Sequence, residues 1–163
     1  MAEPGRLILG IDPGLASMGW GIVREEGSAL RYVAHGCIRT PSSETSGSRL
    51  QLIARALENI IEIYGPSEAG IESLYFAKNA TSAMPVAEAM GVALLTLFDA
   101  GLKVVEYSPG IIKQRIVGSA RAEKAQVQEL VRILLGLPSA PEPDHASDAL
   151  AAAICHAHSR VLA

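Results

Sequence analysis

Two short apolar runs in this chain each end on an acid. Leu7-Ile8-Leu9-Gly10-Ile11 leads into Asp12-Pro13-Gly14, and Ala69-Gly70-Ile71 leads into Glu72. A brief apolar run stopped by a turn signal is the pattern of a buried strand, so both carboxylates are expected at strand ends. If the two strands are neighbours, the acids meet at one end of one sheet. Like charges a few ångströms apart raise each other's pKa, and a divalent cation removes that penalty; oxygen-rich sites of this kind suit magnesium or manganese. An Asp before Pro-Gly also serves as a plain turn residue, and position alone leaves both uses open.

The rest of the chain supplies a frame for such a sheet. Gly19 to Arg24 reads as a second strand, Glu25-Glu26-Gly27-Ser28 as a turn, and Leu30 to Ile38 as a third strand, so the first three strands form a meander. Thr40 to Ser48 is rich in Pro, Ser, Thr and Gly and reads as a loop. Leu50, Ile53, Ala54, Leu57, Ile60, Ile61 and Tyr64 then fall at helical spacing, closed by Gly65-Pro66. Ala80 to Ala100 is expected to be mostly helix, rich in small residues, with Pro85 near the first turn, where proline is tolerated. Lys103 to Tyr107 gives a fifth strand, and Ala125 to Leu135 and Asp144 to His158 two more helices. The order predicts an α/β fold with a five-stranded mixed sheet and helices on both faces. With 163 residues, the chain from 1 to 163 is expected to form one domain.

Composition narrows the class. Hydrophobic residues make up 49% and charged ones 19%, an ordinary globular balance. No apolar run free of glycine and charge reaches the roughly 18 residues of a membrane span, and no basic segment precedes a long apolar one, so a cytoplasmic protein with no membrane partner is expected. Cys37 and Cys155 form no CxxC pair and are read as buried thiols. The net charge of −3 runs against nucleic acid as a partner. A site that gathers carboxylates carries negative charge for its own reasons, however, and what matters to a phosphate backbone is where the lysines and arginines lie.

In the last helix His145 and Asp148 stand three apart, on one face and near the N-terminus. They can complete a metal cage with Asp12 and Glu72, or form a first-turn pair that complements the helix dipole. A resemblance bears on that choice. Gly10-Ile11-Asp12-Pro13-Gly14, Ile71-Glu72, Ala77-Lys78-Asn79-Ala80, Val117-Gly118 through Glu123-Lys124-Ala125-Gln126-Val127, and His145-Ala146-Ser147-Asp148-Ala149-Leu150-Ala151 resemble the RuvC family of Holliday-junction resolvases. The five blocks occur in order, at family-like spacing, over nearly the whole chain.

The resemblance implies a ribonuclease H-like fold and a structure-selective endodeoxyribonuclease that resolves Holliday junctions in recombination and repair. Asp12, Glu72, His145 and Asp148 then form the metal site, with His145 where some members carry Asp and others His. Exchanging an anionic oxygen for a neutral nitrogen makes manganese tolerated or preferred beside the default of two magnesium ions per subunit. Two such ions, about 4 Å apart, acidify the attacking water and stabilise the leaving 3′ oxygen, giving 5′-phosphate and 3′-hydroxyl ends. Lys113 and Lys124 match family lysines near the site and are expected to assist catalysis by offsetting phosphate charge. Tyr75 is expected to stack on a base at the junction centre, with Phe76 beside it the better candidate for packing. Lys78, Asn79, Lys113, Arg115, Arg121 and Lys124 are expected to contact DNA phosphates. The resemblance also implies a homodimer, for which the Ala80 to Ala100 helix is the candidate interface, although an ordinary core helix looks the same. A junction-binding protein and a branch-migration motor are the further partners implied.

One loop departs from the family pattern. Ala120 stands where a second glycine is usual, and a turn needing positive φ would be strained there, so Gly118 to Arg121 is expected to take its own course. Two rival readings remain: another ribonuclease H-like nuclease acting on structured RNA, and a phosphate-binding domain of the actin-like ATPase type. The second needs two such domains around a nucleotide, more than 163 residues hold.

Overall fold

A computed structural model describes residues 5–73 and 80–159. Five strands run in the order β3-β2-β1-β4-β5: β1 (Arg6–Asp12), β2 (Ser17–Glu26), β3 (Ala29–Arg39), β4 (Glu68–Glu72) and β5 (Lys103–Tyr107). The first three form the expected antiparallel meander, and β1, β4 and β5 are parallel. Helices α1 (Ser46–Tyr64) and α2 (Ala80–Asp99) cover one face, while α3 (Pro109–Val117), α4 (Lys124–Leu135) and α5 (Asp144–His158) cover the other. This is the five-stranded mixed sheet with helices on both faces that the sequence pattern predicts. The strands reach one or two residues past their apolar runs, because backbone pairing continues where side chains are already polar.

Helix α3 is an element the periodicity does not announce. Pro109-Gly110 reads as a turn, yet Ser108 caps the helix by accepting from the Ile111 N–H at 3.3 Å, and Pro109 occupies the first turn, where its missing N–H costs nothing. The helix ends at Gly118, whose φ of 90° only glycine adopts freely. Ala120 in the loop beyond has no such demand, since among the described residues none but glycine has positive φ. Cys155 is buried as expected, whereas Cys37, on edge strand β3, is only partly so.

The side-chain alternation of the strands decides where everything else goes. Along β1, Ile8 packs with α3, α4 and α5, whereas Leu9 and Ile11 pack with α1 and α2. Gly10 and Asp12 therefore share the α5 face. On β4, Ala69 and Ile71 face α1 and α2, which puts Glu68, Gly70 and Glu72 under α5. A Cβ on Gly10 would lie 1.8 Å from the Ala149 carbonyl oxygen, and one on Gly19 the same distance from that of His145. The helix itself presents buried Ala146, Ala149, Ala151, Ala152, Ala153 and Ala157. Glycine below and alanine above let α5 lie directly on the strands.

At its C-terminal end α5 closes a polar network at the opposite end of the sheet. Buried His156 bonds to Tyr107 Oη through Nδ1 at 2.9 Å and to Glu68 Oε2 through Nε2 at 2.7 Å, and Arg6 donates to Glu68 at 2.6 Å and to Glu25 at 2.7 Å. Burial alone would raise the Glu68 carboxyl, but the His156 bond and the Arg6 charge outweigh it and hold its pKa below the ordinary value. Each charge there has a partner.

Substituting Gly10→Ala is expected to lower stability by about 1–3 kcal/mol or more, because the nearest atoms are helix backbone that can move only as a unit. Denaturant unfolding measures this; an unchanged midpoint would contradict the close seating of α5.

Candidate metal centre and nucleic-acid interface

Parallel pairing sets Ile11 beside Ile71, so one step further along both strands Asp12 and Glu72 stand side by side at the sheet end, on the face α5 covers. His145 and Asp148 come from the first turns of α5, one turn apart. The positive end of the helix dipole points at the carboxylates. All four residues singled out from the sequence are thus brought together.

The grouping has an electrostatic signature. Glu72 is pushed up to a pKa of about 8, first by burial, then by the charge of Asp12 and the hydrogen bond the two carboxyls share, and further by Asp148. Asp148 is raised as well, by burial and by Asp12, against the opposing pull of Lys124 and His145. Asp12 Oδ2 pairs with His145 Nδ1 at 2.9 Å, and Asp148 Oδ2 with Lys124 Nζ at 3.3 Å. Among the described residues no three His, Cys, Asp or Glu side chains converge on a single coordination point; Asp12 is turned to His145 and Asp148 to Lys124. The donor set nonetheless fits a divalent cation. Three carboxylates and an imidazole share one sheet end, and burial together with the neighbouring carboxylates pushes the Glu72 carboxyl up to about 8, an electrostatic penalty that a doubly positive ion reverses.

Beside the carboxylates opens a cleft of ≈ 170 Å³ between the sheet end, α3 and α4, lined by Glu72, Asp148, Lys113 and Lys124 over a floor that includes Ile112, Val127 and Ala151. Lys113 and Lys124 are therefore where the sequence reading puts them. Burial would lower the Lys124 pKa, but Asp148 and Asp144 outweigh it and keep the lysine charged. Asp144, which the sequence reading passed over, holds Lys124 Nζ at 3.2 Å and accepts from Gln128 Nε2 at 3.1 Å. Its signal is faint: an acid in the first turn of a helix is commonplace.

The expected DNA contacts divide. Arg121 is exposed on the loop between α3 and α4. Arg115 does not join the cleft; its guanidinium lies 5.4 Å from the Tyr107 ring centroid and bonds to Ser159 Oγ. A partly buried arginine beside an aromatic ring is engaged there by its charge. Tyr75, Phe76, Lys78 and Asn79 lie outside the described residues.

Comparison with known proteins gives a consistent result. The family model described as crossover junction endodeoxyribonuclease RuvC matches residues 8–156. The protein of that name from Rubrobacter xylanophilus is 53% identical over 154 residues, covering 94% of this chain and 86% of its own length. That from Heliobacterium modesticaldum is 50% identical over 153 residues and covers 94% of each chain. Among solved structures, Thermus thermophilus RuvC in complex with a Holliday junction substrate superposes with a TM-score of 0.90 at 32% identity, over 95% of this chain and 94% of its own.

The Glu72 shift carries a sign that can be checked. Its carboxyl ionises in the unfolded chain near 4.5 and in the folded one near 8, so the native state loses stability as pH climbs through that window. With EDTA present, Glu72→Gln is expected to raise the melting temperature above pH 8, by about 2–4 °C for each kcal/mol relieved, and to lose that advantage below pH 4.5. Equal melting temperatures above pH 8 would contradict the crowding.

Proposed function

The chain belongs to the RuvC family of crossover junction endodeoxyribonucleases, and we propose that it resolves four-way DNA junctions by hydrolysing phosphodiester bonds at the centre formed by Asp12, Glu72, His145 and Asp148. Membership implies dependence on a divalent metal. The observation that carries the reading is the side-by-side placement of Asp12 and Glu72 beneath Asp148, with the Glu72 carboxyl pushed up to about 8. A divalent cation relieves such crowding by replacing mutual repulsion with attraction.

Two divalent ions bound there would supply an acidified attacking water and a counter-charge for the leaving 3′ oxygen. The chain's own residues do the rest. Asp12, Glu72 and Asp148 offer anionic oxygen, and His145 adds a nitrogen that widens the choice from magnesium towards manganese. Lys113 and Lys124 bring positive charge into the cleft beside the carboxylates, where a scissile phosphate between them is stabilised most as charge builds in the transition state. Asp144 gives Lys124 a second carboxylate partner, so that Asp148 need not hold it alone. Ile112, Val127 and Ala151 give the cleft an apolar floor beneath these charges. Hydrolysis in this sense leaves a 5′-phosphate and a 3′-hydroxyl, and a chain acting on chromosomal recombination intermediates belongs in the cytoplasm.

Symmetric cuts in a four-way junction call for two active sites related by a two-fold axis. Helix α2 supports that arrangement. Its window Thr81–Asp99 has a mean hydropathy of 1.4, apolar enough by composition alone to cross a membrane. One side packs through Ala89, Met90, Ala93 and Leu97 into the core. The other exposes Met84, Glu88, Gly91, Leu95 and Phe98, at the alternating spacing of four and three that makes a helix-pairing seam. Met84 is 64% exposed, and Leu95 and Phe98 are 63% exposed. A second copy pairing along this seam, with Gly91 at the closest approach, buries all three.

Incubating the protein with a synthetic four-way junction and Mg²⁺ or Mn²⁺ is expected to give paired symmetric nicks, and a structured RNA is expected to remain intact. Asp12→Asn should abolish nicking, a loss of about 10³-fold or more on the scale of removing an electrostatic group at a reacting centre. Undiminished cleavage by the mutant would remove Asp12 from the mechanism. Leu95→Glu is expected to convert the dimer to monomer by light scattering and to leave junctions nicked on one strand; a mutant that stays dimeric would place the interface elsewhere.

A further inference from the structure

Asp12 is followed directly by the turn that joins β1 to β2, and a single residue fastens that turn from outside. The Thr40 N–H donates to the Ala16 carbonyl at 3.1 Å, and Thr40 Oγ1 donates to the Leu15 carbonyl at 2.6 Å. The same hydroxyl oxygen accepts from Arg49 Nε at 2.8 Å. A hydroxyl has one proton to give, so the arginine bond fixes its direction: with Arg49 donating, the proton must point at Leu15. Thr40 is 7% exposed, and at that burial water does not replace either bond.

Arg49 is itself held at the start of α1. Its backbone N–H donates to the Thr45 carbonyl at 3.0 Å, while Thr45 Oγ1 caps the helix by accepting from the Ser48 N–H at 3.3 Å. Ser48 Oγ in turn donates to Glu44 at 3.0 Å. A continuous path therefore runs from the capped end of α1 through Arg49 and Thr40 to the Leu15 and Ala16 carbonyls, in the turn that begins directly after Asp12. On its other side Asp12 meets His145 of α5. Sheet pairing holds Asp12 against Gly19 and Ser17 against Arg39, and Thr40, the residue after Arg39, carries that hold into the turn between them.

We propose that Thr40 and Arg49 are positioning residues that set the Asp12 carboxylate for its cation by holding the Leu15 and Ala16 carbonyls. The inference rests on Asp12 serving the catalytic centre. It assigns catalytic consequence to two residues on the α1 side of the sheet, neither of which lines the cleft beside the carboxylates.

The test pairs Thr40→Val, which keeps the shape and removes the hydroxyl, with Thr40→Ser, which keeps the hydroxyl. Mn²⁺ affinity is read by electron paramagnetic resonance titration, single-turnover nicking with protein in excess, and junction affinity in EDTA. Thr40→Val is expected to lose about tenfold in Mn²⁺ affinity and in nicking rate while junction affinity stays within about twofold, the scale on which an outer support of a metal ligand acts. Thr40→Ser is expected to restore both. Should Thr40→Val fail to fold, Arg49→Met leaves the threonine in place and is expected to show the same split. Wild-type Mn²⁺ affinity and rate in Thr40→Val, a loss confined to junction affinity, or a serine variant as impaired as the valine one would each overturn the proposal. Asp12→Asn run alongside separates the two levels: if it binds Mn²⁺ and nicks normally, the reading of the centre has failed, whereas if it is inactive beside a normal Thr40→Val, only this inference has.

Discussion

The seating of α5 on a floor of glycines is the contact on which the rest of this protein depends. Gly10 and Gly19 allow the helix backbone to within a distance no side chain would tolerate, and that closeness brings His145 and Asp148 over Asp12 and Glu72. The helix delivers different things to the two ends of the sheet. At its C-terminal end His156 joins Tyr107, Glu68, Arg6 and Glu25 in a network where opposite charges meet, and Glu68 is stabilised as the anion. At its N-terminal end three carboxylates meet, with His145 paired to Asp12 and Lys124 to Asp148, and Glu72 is driven towards the acid form. The charge is balanced at one end of the helix and left unbalanced at the other, which marks the second end as the functional one.

Much of this was legible in the chain. A short apolar run that stops at an acid is both a strand and the address of its last side chain, which is why Asp12 and Glu72 could be placed before any coordinates. The His145 and Asp148 pair follows from helical spacing in the same way. What stayed hidden depends on partners distant in sequence. Nothing local says that Gly10 must admit the backbone at Ala149, that Arg115 is taken up by Tyr107 and Ser159, or that His156 is buried against Glu68. Helix α3 escaped because Pro109-Gly110 carries a turn signal, and only the Ser108 cap turns that proline into a helix start. Asp144 escaped because its role exists only once Lys124 is beside it.

Composition proved a poor guide where location decides. The net charge of −3 argues against a nucleic-acid partner as a total, but Lys113 and Lys124 line a cleft together with Glu72 and Asp148. Helix α2 is apolar enough by length and composition alone to cross a membrane, yet it covers the sheet on one side and presents an apolar seam on the other. Both discrepancies disappear when each residue is read with the surface it occupies.

The central claim is that Asp12, Glu72, His145 and Asp148 form one divalent-metal centre. Anomalous scattering from crystals of the protein equilibrated with Mn²⁺ tests it most directly. The account predicts manganese peaks among these four side chains, within about 2.0–2.3 Å of their oxygen and nitrogen atoms, and none there in Asp12→Asn crystals. Manganese bound elsewhere, with this end of the sheet empty in a protein that still cuts junctions, would contradict it.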